Sequence, residues 1–134
     1  MKDTFSLFTD GGARGNPGKG AVGIVLKKNK KVVFAKGKYL GDDLTNNQAE
    51  YRAILGGLKV AKKMEVEELE CFLDSELVVK QLNNQYRVKD KDLKVLFESV
   101  KKLADDFEKI KFIHIARDKN KLADQLVNEV LDKE

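Results

Sequence analysis

Alternating apolar and polar positions predict five strands along the chain. The first runs from Phe5 to Asp10, where it meets a glycine-rich stretch, Gly11–Gly18, that we expect to form a sharply bent loop. The other four predicted strands are Gly20–Leu26, Val32–Tyr39, Glu68–Leu73 and Ile110–Ile115. Short connections join the first three strands, which favours an antiparallel meander.

Apolar residues at helical spacing predict four helices. The first begins at Thr45, which has the spacing of a capping box with Gln48, and its stripe of small residues ends at Ala61. The others are predicted at Ser75–Leu82, Asp90–Phe107 and Leu122–Leu131, and we expect Asn120 to cap the last. Because helices lead into the fourth and fifth strands, these strands should pair in parallel through right-handed crossovers. The sequence therefore predicts an α/β fold with a five-stranded mixed sheet flanked by helices.

Length and composition indicate one globular domain spanning residues 1–134. Charged residues make up 36% of the chain and hydrophobic ones 42%, and no apolar run has the length of a membrane span or a signal peptide. Cys71 is the only cysteine, which excludes an intrachain disulfide and a cysteine-cluster metal site. We therefore expect a cytoplasmic protein with no membrane partner. The formal net charge of +4 is compatible with a polyanionic partner, although surface lysines are also common for solubility alone.

Four carboxylates are placed to meet at one edge of this sheet. Asp10 and Asp74 follow strands, whereas Glu50 and Asp124 lie near helix N-termini. Taken singly, some have ordinary structural interpretations, since Asp10 could cap a turn and Asp74 a helix, and Glu50 could complement a helix dipole. Together they would repel one another and destabilise the fold, whereas a bound divalent cation would attract all four and offset this repulsion. Mg²⁺ suits all-oxygen sites, and two such ions can stabilise a displacement at phosphorus, so the four acids predict phosphodiester cleavage.

Four segments spread over the chain together resemble a type 1 ribonuclease H. They are FTDGGARGNPGKGAVG (Phe8–Gly23), TNNQAEYRAILGGL (Thr45–Leu58), LDSELVVKQL (Leu73–Leu82) and ARDKNKLADQLVNE (Ala116–Glu129), in the order of that family. The resemblance implies the RNase H-like fold, with strand order 3-2-1-4-5. It also implies hydrolysis of the RNA strand of RNA/DNA hybrids, which leaves 5′-phosphate and 3′-hydroxyl ends. The catalytic and metal-binding quartet then comprises Asp10, Glu50, Asp74 and Asp124, which would bind two Mg²⁺ or Mn²⁺ ions when substrate is present.

Several other residues correspond to substrate contacts in that family. The expected substrate-binding residues are Gly11, Gly12, Arg14, Asn16, Asn46 and Arg117. The two glycines would bring the backbone close to the RNA and the two asparagines would face the minor groove, although both asparagines could instead be turn and capping residues. Selection of RNA requires a contact with the 2′-hydroxyl group, for which the backbone after Asp10 and the Glu50 carboxylate are the candidates.

The chain departs from many type 1 enzymes in three places. The loop Ala116–Lys119 lacks the histidine that relatives carry there, so Arg117 would have to replace it, and we expect His114 to be packed within a strand. Asn84–Asp90 connects two helices without a basic, tryptophan-rich handle, and Glu76 lies where glutamine is common. These features resemble a handle-less, archaeal-like subgroup. We expect a monomer, and the alternatives are a nuclease that also cuts double-stranded RNA and a non-catalytic nucleic-acid-binding module.

Overall fold

The computed structural model describes residues 2–134 and contains one five-stranded sheet. Its strands are β1 (Phe5–Gly15), β2 (Gly18–Lys28), β3 (Lys31–Leu44), β4 (Glu68–Leu73) and β5 (Lys109–His114). The spatial order is β3-β2-β1-β4-β5, with antiparallel pairing among the first three strands and parallel pairing of β1 with β4 and of β4 with β5. The predicted fold class and strand order are therefore confirmed.

Four α-helices and one short 3₁₀ turn complete the fold. They are α1 (Asn46–Lys63), α2 (Glu76–Leu82), α3 (Lys91–Ala104), the turn Arg117–Lys119 and α4 (Lys121–Asp132). The capping box is confirmed, because Thr45 Oγ1 accepts from the Gln48 N–H at 3.1 Å and Gln48 Oε1 accepts from the Thr45 N–H at 2.9 Å. Ser75 caps α2, which leaves the neighbouring Asp74 carboxylate free of that role. Within residues 2–134, no helix has the length and apolar character needed to cross a bilayer.

The glycine-rich stretch after Asp10 is not the loop that the sequence predicts. β1 continues through it to Gly15, which pairs with Gly18, so only Asn16 and Pro17 lie between the two strands. Glycines do not prevent an extended conformation here because β2 supplies a pairing partner along the whole stretch. Gly11, within this stretch, allows α1 to approach the sheet closely.

Helix α1 lies directly on one face of the sheet. A Cβ added to Gly11 would lie 2.2 Å from backbone atoms of Ala49, and one added to Gly57 would lie 2.8 Å from the Leu7 side chain. Real Cβ atoms do not approach backbone atoms so closely, so the helix can occupy this position only above glycine. Glu50, which follows Ala49, is thereby placed beside the segment of β1 that carries Asp10.

Helix α4 lies on the opposite face. Gly23 is the cross-strand partner of Asp10, so the two residues face the same side of the sheet. Gly11, the next residue of β1, faces the other side, where α1 lies. A Cβ added to Gly23 would lie 2.2 Å from the Ala123 carbonyl oxygen, so this contact also requires glycine. A small second core cluster anchors α4, formed by Ala21, Val127 and Leu131 with Tyr39 and Val130 packed around it. The first turn of α4 carries Asp124.

Candidate active site

Three of the four predicted carboxylates meet at the carboxyl ends of the parallel strands. Asp10 lies within β1, Asp74 directly follows β4, and Glu50 belongs to the first turns of α1. One carboxylate oxygen from each lies within 4.8 Å of the others. Asp10 and Glu50 are 5% and 7% exposed, whereas Asp74 is half-buried. Three acidic side chains thus lie close together at this edge of the sheet, largely shielded from solvent.

Asp124 lies at the rim of the same cleft. Its carboxylate is outside the group of three, but it lines the cavity together with Asp10, Glu50 and Asp74. Arg117 Nη2 lies 3.6 Å from Asp124 Oδ1, and Asn128 Nδ2 donates to Asp124 Oδ2 at 3.4 Å. The structure therefore brings all four acids to one cleft, in which Asp10 and Glu50 are buried and Asp74 and Asp124 are half-buried.

The two buried carboxyl groups, those of Asp10 and Glu50, have pKa values well above their ordinary range. Burial, together with the charges of Asp74 and Asp124, raises the pKa of Asp10 to about 7. Burial and the charge of Asp10 also raise the pKa of Glu50 well above its ordinary value, although the Gly11 N–H that donates to Glu50 Oε1 at 2.9 Å opposes this shift. Among the residues that the structure describes, Glu50 Oε2 is buried and has no hydrogen-bond partner.

These donors fit a hard divalent cation. The group of three offers only carboxylate oxygens, and an unpartnered buried oxygen such as Glu50 Oε2 is costly unless a further group binds it. A divalent cation would reverse the sign of the repulsion among the three acids. Oxygen-only coordination of this kind is typical of Mg²⁺ and Mn²⁺ and unlike the nitrogen and sulfur sites of structural zinc.

We expect the metal-free protein to lose stability as the pH rises from about 4 towards 8. Carboxyl groups with raised pKa values hold protons in the folded state that the unfolded chain has already released, so the free energy of unfolding falls across this interval. Bound Mg²⁺ should remove most of the fall because it favours the ionised carboxylates. Melting temperatures measured against pH in EDTA and in millimolar Mg²⁺ test this. A melting temperature in EDTA that rises over the same interval would contradict it.

The predicted substrate-binding residues surround the four acids. Those that line the cleft are Gly11, Gly12, Arg14, Asn46 and Arg117. Asn16 is not among the residues that line the cleft, but its Oδ1 accepts from the N–H of Asn46, which does line it, at 3.0 Å. Asn46 Oδ1 in turn accepts from the Ala13 N–H at 2.9 Å. Both asparagines thus connect the β1–β2 turn to the start of α1. Such contacts give each residue a structural role and leave the Asn46 side chain at the cleft.

Two arginines bring positive charge to the edge of the acidic cleft. Arg14 Nη2 lies 2.6 Å from Asp132 Oδ1, and Arg117 contacts Asp124. All four side chains are partly or largely exposed, and such ion pairs contribute only about 0–1 kcal/mol. Either guanidinium group can therefore exchange its carboxylate for a phosphate at little cost, and arginine binds phosphate through two parallel hydrogen bonds.

The expectation that His114 is packed in a strand is wrong. His114 is the last residue of β5 and is exposed. The apolar alternation of IKFIHI places it on the side of Phe112, but β5 is the edge strand and His114 lies where the sheet ends. Burial of Phe112 therefore does not extend to its neighbour two positions later.

Sequence reasoning missed the role of Asn120. The residue does occupy the position before α4, as predicted, but its side chain makes no capping hydrogen bond. Asn120 is 2% exposed, and its Nδ2 donates to the Thr9 carbonyl oxygen at 2.9 Å and to Asp74 Oδ2 at 3.2 Å. No local pattern indicates this, because the partners lie far away in the sequence.

Comparisons with known proteins match nearly all of the chain. The family model described as reverse transcriptase-like matches residues 8–130. The structure of RNase H1 from Halobacterium salinarum superposes with a TM-score of 0.94 at 36% sequence identity, covering 98% of this chain and 99% of that one. LC11-RNase H1, solved in complex with an RNA/DNA hybrid, gives a TM-score of 0.91 at 37% identity, with 97% and 98% covered.

A longer relative contains a similar segment. The bifunctional protein Rv2228c of Mycobacterium tuberculosis is 38% identical over 127 residues, which is 94% of this chain but 35% of that protein. The solved N-terminal RNase H domain of that protein has a TM-score of 0.93 at 34% identity, with 98% of this chain and 96% of that chain covered. The chain thus spans about a third of the mycobacterial protein and matches the portion described as an RNase H domain.

Proposed function

The chain belongs to the type 1 ribonuclease H family, and from that premise we propose that it hydrolyses the RNA strand of RNA/DNA hybrids. The observation that carries the proposal is the meeting of Asp10, Glu50 and Asp74 at one sheet edge, with Asp124 in the same cleft. A non-catalytic binding module would gain nothing from buried acids that repel phosphate. The solved complex of LC11-RNase H1 with an RNA/DNA hybrid supports this choice of substrate.

The reaction we propose is an in-line displacement at phosphorus by water. Two Mg²⁺ or Mn²⁺ ions held by Asp10, Glu50, Asp74 and Asp124 would activate that water and neutralise charge on the phosphate. Cleavage on the 3′-oxygen side of the phosphorus leaves a 5′-phosphate and a 3′-hydroxyl. The Gly11 N–H holds Glu50 Oε1 and so fixes that carboxylate before any substrate arrives.

Positioning of the hybrid falls to the groups around the acids. Arg14 and Arg117 lie on the wall of the cleft, where they can bind phosphates on either side of the scissile one. Asn46 reaches the same cleft from the start of α1, and we propose that it contacts the minor groove of the hybrid. We propose that the Glu50 carboxylate and the backbone after Asp10 recognise the 2′-hydroxyl, the group by which RNA differs from DNA. We propose that this chemistry takes place in one monomeric domain in the cytoplasm.

A comparison of cleavage on four substrates tests the proposal. Labelled duplexes of one sequence are offered as RNA/DNA, RNA/RNA and DNA/DNA, with single-stranded RNA as the fourth, in Mg²⁺, in Mn²⁺ and in EDTA. We expect cleavage of the RNA strand of the hybrid only, dependent on the metal, with products that a 5′-phosphate-dependent exonuclease can degrade. Binding of the hybrid with no cleavage in either metal would favour the non-catalytic alternative, and equal cleavage of RNA/RNA would favour the broader nuclease.

We expect Arg117→Ala to lower kcat/KM on the hybrid while barely changing the melting temperature. If Arg117 binds a phosphate, loss of that charge-assisted hydrogen bond costs about 1.5–3 kcal/mol. Arg117 is 79% exposed and its ion pair with Asp124 is loose, so little stability depends on it.

The matched comparison is His114→Ala, which removes the one histidine of the chain. Because His114 is exposed, its removal should change stability by less than about 0.5 kcal/mol and leave turnover near normal. Initial rates and melting temperatures of both variants are measured on one hybrid. A large loss of activity in His114→Ala with normal activity in Arg117→Ala would show that the histidine, and not the arginine, serves the reaction.

A further inference from the structure

The Asn120 side chain lies at the end of the pairing between β1, which carries Asp10, and β4, which Asp74 directly follows. Its Nδ2 donates one hydrogen bond to the Thr9 carbonyl oxygen and another to Asp74 Oδ2. Thr9 directly precedes Asp10, and Thr9 and Leu73 are the last paired positions of β1 and β4. The amide group of Asn120 therefore lies just where the hydrogen-bonded ladder between these strands ends.

The orientation of the Asn120 amide follows from its partners. A carbonyl oxygen and a carboxylate oxygen both accept hydrogen bonds, so only the NH₂ side of the amide can face them. Both N–H groups are then in use, in a position that is 2% exposed and thus closed to exchange with bulk water. The side chain makes this contact instead of the helix-capping bond that asparagine ordinarily makes at such a position.

Two of the three clustered acids are held in a similar way. Gly11 N–H donates to one oxygen of Glu50, and Asn120 Nδ2 donates to one oxygen of Asp74. In each case a donor held by the fold contacts one oxygen of the carboxylate and leaves the other oxygen without that donor. Gly11 supplies a backbone N–H, which a side-chain substitution other than proline leaves in place, whereas Asn120 supplies a side chain, so its contribution can be tested directly by mutation.

We propose that Asn120 is the positioning residue of Asp74, which sets the direction of that carboxylate toward the cation site shared with Asp10 and Glu50. The inference rests on the proposed function in that it takes this cluster to be a divalent-cation site. Asn120 acts through Asp74 and does not touch the substrate. Partners of this kind, which orient a ligand without binding the metal, commonly change metal affinity by tenfold or more.

Mn²⁺ binding in the absence of nucleic acid tests the proposal on the full chain. Asn120→Leu keeps the approximate size of the side chain and removes the donor, and Asn120→Ala removes both. Asn83→Leu is the matched control, because Asn83 Nδ2 also donates to a backbone carbonyl oxygen, that of Phe112, at 3.0 Å but away from the acids. Dissociation constants are measured by calorimetry well below the melting temperatures found in EDTA.

We expect the Mn²⁺ dissociation constant to rise about tenfold in both Asn120 variants and to stay unchanged in Asn83→Leu. A purely structural role would lower the melting temperature and leave the dissociation constant as in the wild type, which would overturn the proposal. An equal loss of affinity in Asn83→Leu would overturn it too. If Asn120→Leu does not fold, Asn120→Ala carries the same test. Failure of the wild type to cleave a hybrid would refute the proposed function and leave this comparison of cation affinities valid.

Discussion

Asp10→Asn is expected to abolish cleavage and at the same time to stabilise the metal-free protein. Loss of the carboxylate at the centre of the cluster should lower kcat by at least about a thousandfold, or about 4 kcal/mol, because it removes a ligand to the cations that carry the chemistry. The Asp10 carboxyl is buried among other acids, which raises its pKa to about 7. A neutral amide of the same shape avoids that repulsion, so the melting temperature in EDTA at pH 8 should rise by about 5 °C.

Opposite changes in activity and stability distinguish a functional acid from a structural one. Asp43→Asn is the control, because Asp43 is an exposed acid on β3 and its neutralisation should change neither quantity appreciably. Both variants are assayed on one hybrid with Mg²⁺ and melted in EDTA. If Asp10→Asn kept activity within about tenfold of the wild type, Asp10 would not be the central ligand.

Gly11→Ala is expected to destabilise the protein by at least about 3 kcal/mol and to lower the melting temperature by about 10 °C. The added methyl group would lie 2.2 Å from backbone atoms of Ala49, and a helix backbone cannot yield as a flexible side chain can. α1 would have to move away from β1. That movement would also break the hydrogen bond from the Gly11 N–H to Glu50, so the cation site should be lost with the stability.

Gly12→Ala provides the control at the adjacent position. A Cβ on Gly12 meets only Val127 Cγ1, at 3.6 Å, which is an ordinary contact. The substitution should be neutral or should stabilise the protein by up to about 1 kcal/mol, since alanine restricts the unfolded chain. Chemical denaturation of both variants measures the difference. Equal stabilities for the two variants would show that α1 does not depend on the close approach at Gly11.

Local sequence patterns were sufficient to predict most of the elements and the relative direction of the paired strands, whereas the strand order 3-2-1-4-5 followed from the resemblance to a known family. Alternation in the meander strands and the capping box at Thr45 each report on contacts made within a few residues. Asp10, Glu50 and Asp74 could be assigned to one site because the fold places the carboxyl ends of parallel strands together. The acids alone indicated phosphodiester cleavage, whereas the RNA/DNA hybrid as substrate followed only from the resemblance to a known family.

Contacts between distant segments could not be read from those patterns. The run from Gly11 to Gly18 has the composition of a loop, and its extended conformation depends on pairing with β2 and on helices that pack across it. Asn120 resembles an ordinary cap until Thr9 and Asp74 are placed beside it. His114 is exposed because β5 forms the edge of the sheet. The order of the strands determines which strand is at the edge, and the six residues of IKFIHI alone do not reveal that order.

The cleft is formed by two parts of the protein, the main core and α4. Because α4 is anchored by its own small cluster, it can unfold locally while the main core stays folded. Asp10 and Glu50 lie in β1 and α1 and Asp74 directly follows β4, elements that pack in the main core, whereas Asp124 is carried by a helix held on the sheet by the small cluster around Val127. Segments with few buried apolar contacts open locally at a lower cost than global unfolding. Hydrogen exchange in α4 should therefore be faster than in α1. Only molecules in which α4 is docked have Asp124 in the cleft, so the docking of this helix sets the fraction of active molecules. On warming, activity should therefore be lost at a lower temperature than that at which the sheet melts.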